Sequence, residues 1–262
     1  MNVTRRCLLS GCLLSGSVSA LGAGKADGNT TERLRDKASG YDYRKPEFKP
    51  ESRLVFQGDS ITDMKWGRNE KDRNHYLGHS YVYLIASRLG FDMPNARLNF
   101  FNRGMSGHRV GDLRKRWQRD AIELKPDLLS VLVGVNDVGR NLDGVNVVQW
   151  ENDYRFILSE SRKSNPDLRL VLLDPFVLPS GRLSERSAYR RWREQVERLL
   201  PVVERLASEF DAVHVRTQLV FDSVATEASP DHWIWDGVHP LPQGHELIAR
   251  EWIDRVSERW SG

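Results

Sequence analysis

Four short segments carry the residue types that acyl transfer needs, and they occur in a fixed order: QGDSIT around Ser60, NRGMSG around Gly104, VGVND around Asn136 and WDGVHP around His239. Ser60 offers a hydroxyl nucleophile. Asp236 and His239 are separated by two residues, with Gly237 between them and Pro240 stiffening the exit. One loop can therefore present a carboxylate to imidazole Nδ1 and leave Nε2 for a serine. A glycine at position 104 lets a backbone N–H approach a developing oxyanion, and the Asn136 amide adds a second donor without charge. Taken alone, each segment has a plainer reading: a helix cap at Asp59-Ser60, a turn at Asn102-Arg103-Gly104, an Asx turn at Asn136-Asp137 and a surface turn with an incidental histidine. The complete set outweighs them. It predicts Ser60, His239 and Asp236 as catalytic residues, with Gly104 and Asn136 as oxyanion donors.

These residues must be held by elements that end where they begin. Apolar, β-branched runs at 54–56, 98–101, 128–133, 168–173 and 212–215 read as buried strands. Stretches with apolar residues at helical spacing separate them, and a last helix of roughly Pro242 to Ser257 follows WDGVHP. Strand and helix in alternation predict an α/β domain with a parallel sheet covered on both faces. In such a sheet functional groups gather at the carboxyl ends of the strands, where Ser60, Gly104 and Asn136 all fall. Pro201 is expected to kink or divide the long helix that contains it.

The chain has 262 residues, room for one α/β domain after an N-terminal leader. Residues 1–24 have a basic start at Arg5 and Arg6, a short apolar stretch and small residues such as Ser19-Ala20, the anatomy of an export signal. The arginine pair followed by leucines resembles a twin-arginine signal, with an ordinary export signal as the alternative. The stretch is too short and too rich in Ser and Gly to span a bilayer. Lipidation at Cys12 is a minor variant of the same reading. Residues 25–52 read as a linker and irregular N-terminal arm, and 53–262 as the catalytic domain. Both cysteines, Cys7 and Cys12, lie in the leader, so the remainder has no disulfide, thiolate metal site or cysteine nucleophile. The net charge of +3 is spread over helices where Arg and Glu alternate, which argues against a nucleic-acid partner.

With the four motifs in order from Gly58 to His239, the chain resembles the SGNH hydrolases, also called the GDSL esterase/lipase family. The resemblance implies a three-layer α/β/α, flavodoxin-like fold with a five-stranded parallel sheet. It also implies a Ser60–His239–Asp236 triad, an oxyanion hole of the Ser60 and Gly104 N–H groups and the Asn136 amide, and no cofactor or metal. Family members act on many esters, so substrate does not follow from the motifs. Export, the absence of a long apolar lid, and Trp66, Trp233 and Trp235 beside the motifs favour an acetylated carbohydrate, each Trp having core packing as its plainer role. Rival readings are a lysophospholipase, thioesterase, arylesterase or acyltransferase on the same fold, a metal hydrolase built from His232, Asp236, His239 and His245, and a non-catalytic carbohydrate-binding protein.

Overall fold

The computed structural model describes residues 43–261 of the chain. The expected leader, with Cys7 and Cys12, and most of the linker lie outside the described residues. Strands β1 (Arg53–Gly58), β2 (Asn99–Gly104), β3 (Leu128–Leu132), β4 (Arg169–Leu173) and β5 (Val213–Val215) form one sheet in the order β2-β1-β3-β4-β5, and every pairing is parallel. This is the flavodoxin-like strand order, with its switch point where β1 lies between β2 and β3.

Helices cover both faces. On one side Phe56 of β1 packs against Tyr81 of α2 (Tyr81–Asp92) and against Trp252 of α9 (Pro242–Trp260), with ring centroids 6.2 and 5.5 Å apart. The Trp252 indole N–H donates to Ser130 Oγ of β3 at 3.0 Å, which satisfies two polar groups the core would otherwise strand. On the other side Trp117 of α3 (Val110–Asp120) donates to Ser161 Oγ of α5 (Val147–Ser164) at 2.8 Å. Leu54, Val55 and Phe56 are all fully buried, as a strand covered on both faces requires.

Helix α6 (Arg186–Glu209) runs unbroken through Pro201, so the expected division does not occur. Pro201 lies on the exposed side, where the carbonyl it leaves without a partner can turn to water, while buried Leu199, Val202 and Val203 hold the flanking turns to the core. Residues 43–52 contain no helix or strand and are tied to the sheet unit. The Glu47 and Glu51 N–H groups donate to the carbonyls of Trp260 and Ala96, each at 2.7 Å, and Tyr43 bonds to Asp92.

The register brings Gly58, Gly104 and Leu132 abreast at the carboxyl ends of β1, β2 and β3. The loops leaving these three strands carry Ser60, the Met105–Arg109 segment and Asn136. Gly104 sits so close to the backbone of Asp63 that a Cβ there would collide with it.

Candidate active site

Ser60 is the first residue of a single helical turn, α1 (Ser60–Asp63), that starts where β1 ends. Asp59 caps this turn by accepting the Ile61 N–H at 3.0 Å. The Ser60 N–H, at the first position of the turn, has no acceptor among the described residues. Asp59 is fully buried, and burial pushes its carboxyl up to about 7 against the opposing pull of the Ile61 N–H.

The loop before α9 supplies the rest of the acid–base pair. Asp236 Oδ1 accepts the N–H groups of Val238 and His239 at 3.0 and 2.7 Å, an Asx turn that Gly237 closes with φ +91°. Ser180 clamps the same loop by donating to the Ile234 carbonyl at 2.5 Å and accepting the Gly237 N–H at 3.1 Å. Within this frame His239 Nδ1–H donates to Asp236 Oδ2 at 2.8 Å, and Ser60 Oγ–H donates to His239 Nε2 at 2.8 Å. Burial works against ionisation of Asp236, but the imidazole and the two backbone N–H groups outweigh it and hold the carboxyl down at about 2. Serine hydroxyl, imidazole and carboxylate thus form one chain of hydrogen bonds.

The loop after β2 differs from expectation. The Gly104 N–H donates to Asn102 Oδ1 at 2.9 Å and is buried, so it is not available to a substrate oxygen. The physical cause is Asn102, fully buried, whose amide nitrogen also donates to the carbonyls of Thr62 and Leu77 at 2.7 and 2.8 Å and so staples β2 to α1. Three residues on, Gly107 has φ +80°, and its N–H has no acceptor among the described residues. Asp63 fixes this loop by accepting from both the N–H and the hydroxyl of Ser106, at 2.9 and 2.8 Å. Asn136, in α4 (Val135–Gly139), donates one amide N–H to the His108 carbonyl at 3.2 Å, which places it beside Gly107 with its second amide N–H to spare. The sequence signal for Gly107 was the second glycine of NRGMSG.

The model of the GDSL-like Lipase/Acylhydrolase family matches residues 56–247, a span that contains all of these groups. The chain belongs to this family. An acetylxylan esterase of Geobacillus stearothermophilus is 32% identical over 217 residues, 79% of this chain and 95% of that protein. A crystal structure of an acetylxylan esterase from Geobacillus stearothermophilus superposes with a TM-score of 0.69 at 30% identity, covering 79% of this chain and 95% of that one. A GDSL-like lipase of Parabacteroides merdae ATCC 43184 superposes with a TM-score of 0.76 at 33% identity, covering 81% and 98%. As a GDSL-family esterase, the chain is a carboxylic ester hydrolase.

The three tryptophans fare differently around this site. Trp235 is 60% exposed and stacks beside His239, with centroids 6.4 Å apart and planes at 29°. Trp66 is engaged elsewhere, its N–H donating to the Gly104 carbonyl at 2.9 Å while Arg68 and Arg103 pack on its ring. Trp233 packs against the core and the edge of His232. Arg182, missed from the sequence, stacks on Trp192 and approaches Asp236 Oδ2 to 3.8 Å. The four residues of the metal alternative do not gather. His245 is buried, accepts the Tyr81 N–H at Nδ1, and is pushed down to about 3 by burial and by nearby histidines. No group of three metal-ligating side chains occurs among the described residues, and none of their helices is long and apolar enough to cross a membrane.

Proposed function

We propose that this GDSL-family esterase removes acetyl groups from xylan-type carbohydrates through an acetyl-enzyme intermediate, and that it does so after export. The observation that carries the mechanism is the unbroken chain Ser60–His239–Asp236, with both side-chain bonds at 2.8 Å. Ser60 Oγ attacks the acetyl carbonyl carbon as its proton passes to His239 Nε2, and Asp236 stabilises the resulting imidazolium. The tetrahedral oxyanion is held by the Ser60 N–H, the Asn136 amide and the Gly107 N–H, which takes the place expected for Gly104. Collapse expels the sugar hydroxyl, which carries the proton returned by His239. Water, deprotonated by the same imidazole, then releases acetate.

Related proteins support the reading. Solved variants of the Geobacillus acetylxylan esterase with one aspartate, one serine or one histidine replaced by alanine are each described as catalytic mutants. The aspartate and histidine replaced there are three positions apart, as Asp236 and His239 are here. Trp235, exposed beside the imidazole, offers a face for a sugar ring. Export rests on residues 1–24 alone. The test is a hydrolysis panel of aryl acetate, butyrate and octanoate beside acetylated xylan, pectin and xyloglucan. Acetate esters should turn over fastest, and acetylated xylan should lead the polysaccharides. Preference for octanoate would move the assignment to a lysophospholipase or thioesterase.

A further inference from the structure

On the outer side of β2, away from β3, a cavity of about 340 Å³ is lined by four arginines, Arg68, Arg103, Arg116 and Arg119, against two acids, Glu70 and Asp120. Three segments far apart in sequence build it. Arg68 and Glu70 come from the polar loop after α1, Arg103 from β2, and Arg116, Arg119 and Asp120 from α3. Asp120 serves two cations, meeting Arg116 at 3.1 Å and Arg119 at 2.7 Å, while Asp63 takes Arg68 at 2.7 Å. Arg103 and Arg116 are only 11% and 8% exposed, so water screens their charges poorly. Burial, and then repulsion from the neighbouring arginines, lowers the pKa of both. A site with this balance gains from an added anion.

The cavity already shows which anion fits. The Glu70 carboxylate, half exposed on its loop, is paired with the buried Arg103 guanidinium. A carboxylate from outside can take that position by displacing one surface side chain. The cavity also shares a wall with the catalytic centre. Trp66 and Arg68 donate to the Gly104 carbonyl at 2.9 and 3.2 Å, and Arg116 reaches the Gly58 carbonyl at 3.4 Å, two residues before Ser60. Arg116 Nε also donates to His108 Nδ1 at 3.2 Å, on the residue whose carbonyl holds Asn136.

We propose that this arginine-lined cavity is a subsite for the carboxylate of a uronic acid carried by the polysaccharide next to the acetylated sugar. It rests on the carbohydrate reading of the active site. A guanidinium fork matches a carboxylate in two parallel bonds, and Arg103 is held ready to form them. The subsite directs the enzyme to acetyl groups on acidic, uronate-branched chains.

The test uses the full chain with Ser60→Ala, so that ligand is bound but not consumed. Calorimetry would compare a uronate-bearing xylooligosaccharide with the same oligosaccharide after reduction of its carboxyl group. The acidic form should bind at least about tenfold more tightly at low salt, with the gap narrowing as salt rises. Arg119→Gln, at a 71% exposed side chain, should shrink the gap severalfold. Glu70→Gln should widen it by freeing Arg103. Equal affinity for the two oligosaccharides overturns the proposal, as does a gap that Arg119→Gln leaves intact. Inorganic phosphate that competes as strongly as the acidic oligosaccharide makes the cavity a general oxyanion site and also overturns it. Wild-type hydrolysis of neutral acetylated xylooligosaccharides separates the two readings. Activity there without a binding gap defeats the subsite alone, whereas its absence defeats the acetylesterase reading and leaves the binding comparison to decide the subsite.

Discussion

Replacing Asp236 by asparagine exchanges one carboxylate oxygen for an NH₂ group and removes its charge, while leaving the loop nearly isosteric. Asn Oδ1 can still accept from Val238 and His239 N–H, the two bonds that shape the turn. The second position then holds an NH₂ group against His239 Nδ1, where a carboxylate oxygen accepted a proton at 2.8 Å. The imidazole must carry its proton on Nε2 to relieve that clash, and Nε2–H cannot accept from Ser60. We expect kcat/KM on aryl acetate to fall by roughly 10² to 10⁴, with KM little changed. Stability should change in a pH-dependent way. The folded carboxyl is held down at about 2, against an ordinary value of 3.8. That depression corresponds to about 2–3 kcal/mol before screening, and water at the rim of the site reduces this to about 1–2 kcal/mol. Because the folded pKa is the depressed one, this stabilisation is fully present above about pH 5 and is lost as pH falls toward 2. Urea unfolding of wild type and Asp236→Asn from pH 2 to 7 should give curves that converge at the acid end. Activity within threefold of wild type, or a stability deficit independent of pH, would rule out this role for Asp236.

Three further outcomes follow from the same geometry. Asn136→Ala should lower kcat by roughly 10² to 10³ with a smaller change in KM, since its amide serves the tetrahedral state more than the planar ester; steady-state kinetics would show the opposite split if Asn136 only positioned substrate. Asn102→Ala leaves the Gly104 N–H and the Thr62 and Leu77 carbonyls buried without their partner, and should destabilise by about 3–5 kcal/mol in urea titrations, with activity lost as α1 loosens. Asp59→Asn keeps the cap on Ile61 but removes a buried carboxyl whose folded pKa, about 7, lies above its unfolded value. Ionisation of Asp59 penalises the folded state as pH rises from about 4 to 7, so the variant should match wild type near pH 4 and exceed its stability by on the order of 1–4 kcal/mol at pH 8.

The strands were legible because a sheet buried on both faces writes its strands as continuous apolar runs, and β1, β3 and β4 are such runs. The acid–base pair was legible because Asp236 and His239 share one loop, so that spacing alone constrains their geometry. The glycine proposed for the oxyanion hole was not. NRGMSG offers two glycines, and what separates them is tertiary: the Asn102 side chain that takes the Gly104 N–H, and the φ of +80° at Gly107. Trp66 read as a sugar platform because it lies close in sequence to the GDS motif, whereas its neighbours in space are Arg68 and Arg103. The arginine-lined cavity was hidden for the same reason. Its cations are scattered over positions 68 to 119, where each looks like one more solvated charge. Pro201 shows the converse case, a local signal for a break that the helix runs through, with Leu199, Val202 and Val203 buried on either side.

The proposed mechanism requires that Ser60 become covalently acylated. The most direct measurement is mass spectrometry of the protein after treatment with a serine-directed phosphonate, paired with kinetics of Ser60→Ala. One phosphonyl group should attach per chain, on Ser60, with activity lost in step. The folded Ser60→Ala protein should take up none and turn over esters at a rate lower by on the order of 10³ or more. Labelling at another residue, or a Ser60→Ala variant with near-normal turnover, would contradict the account.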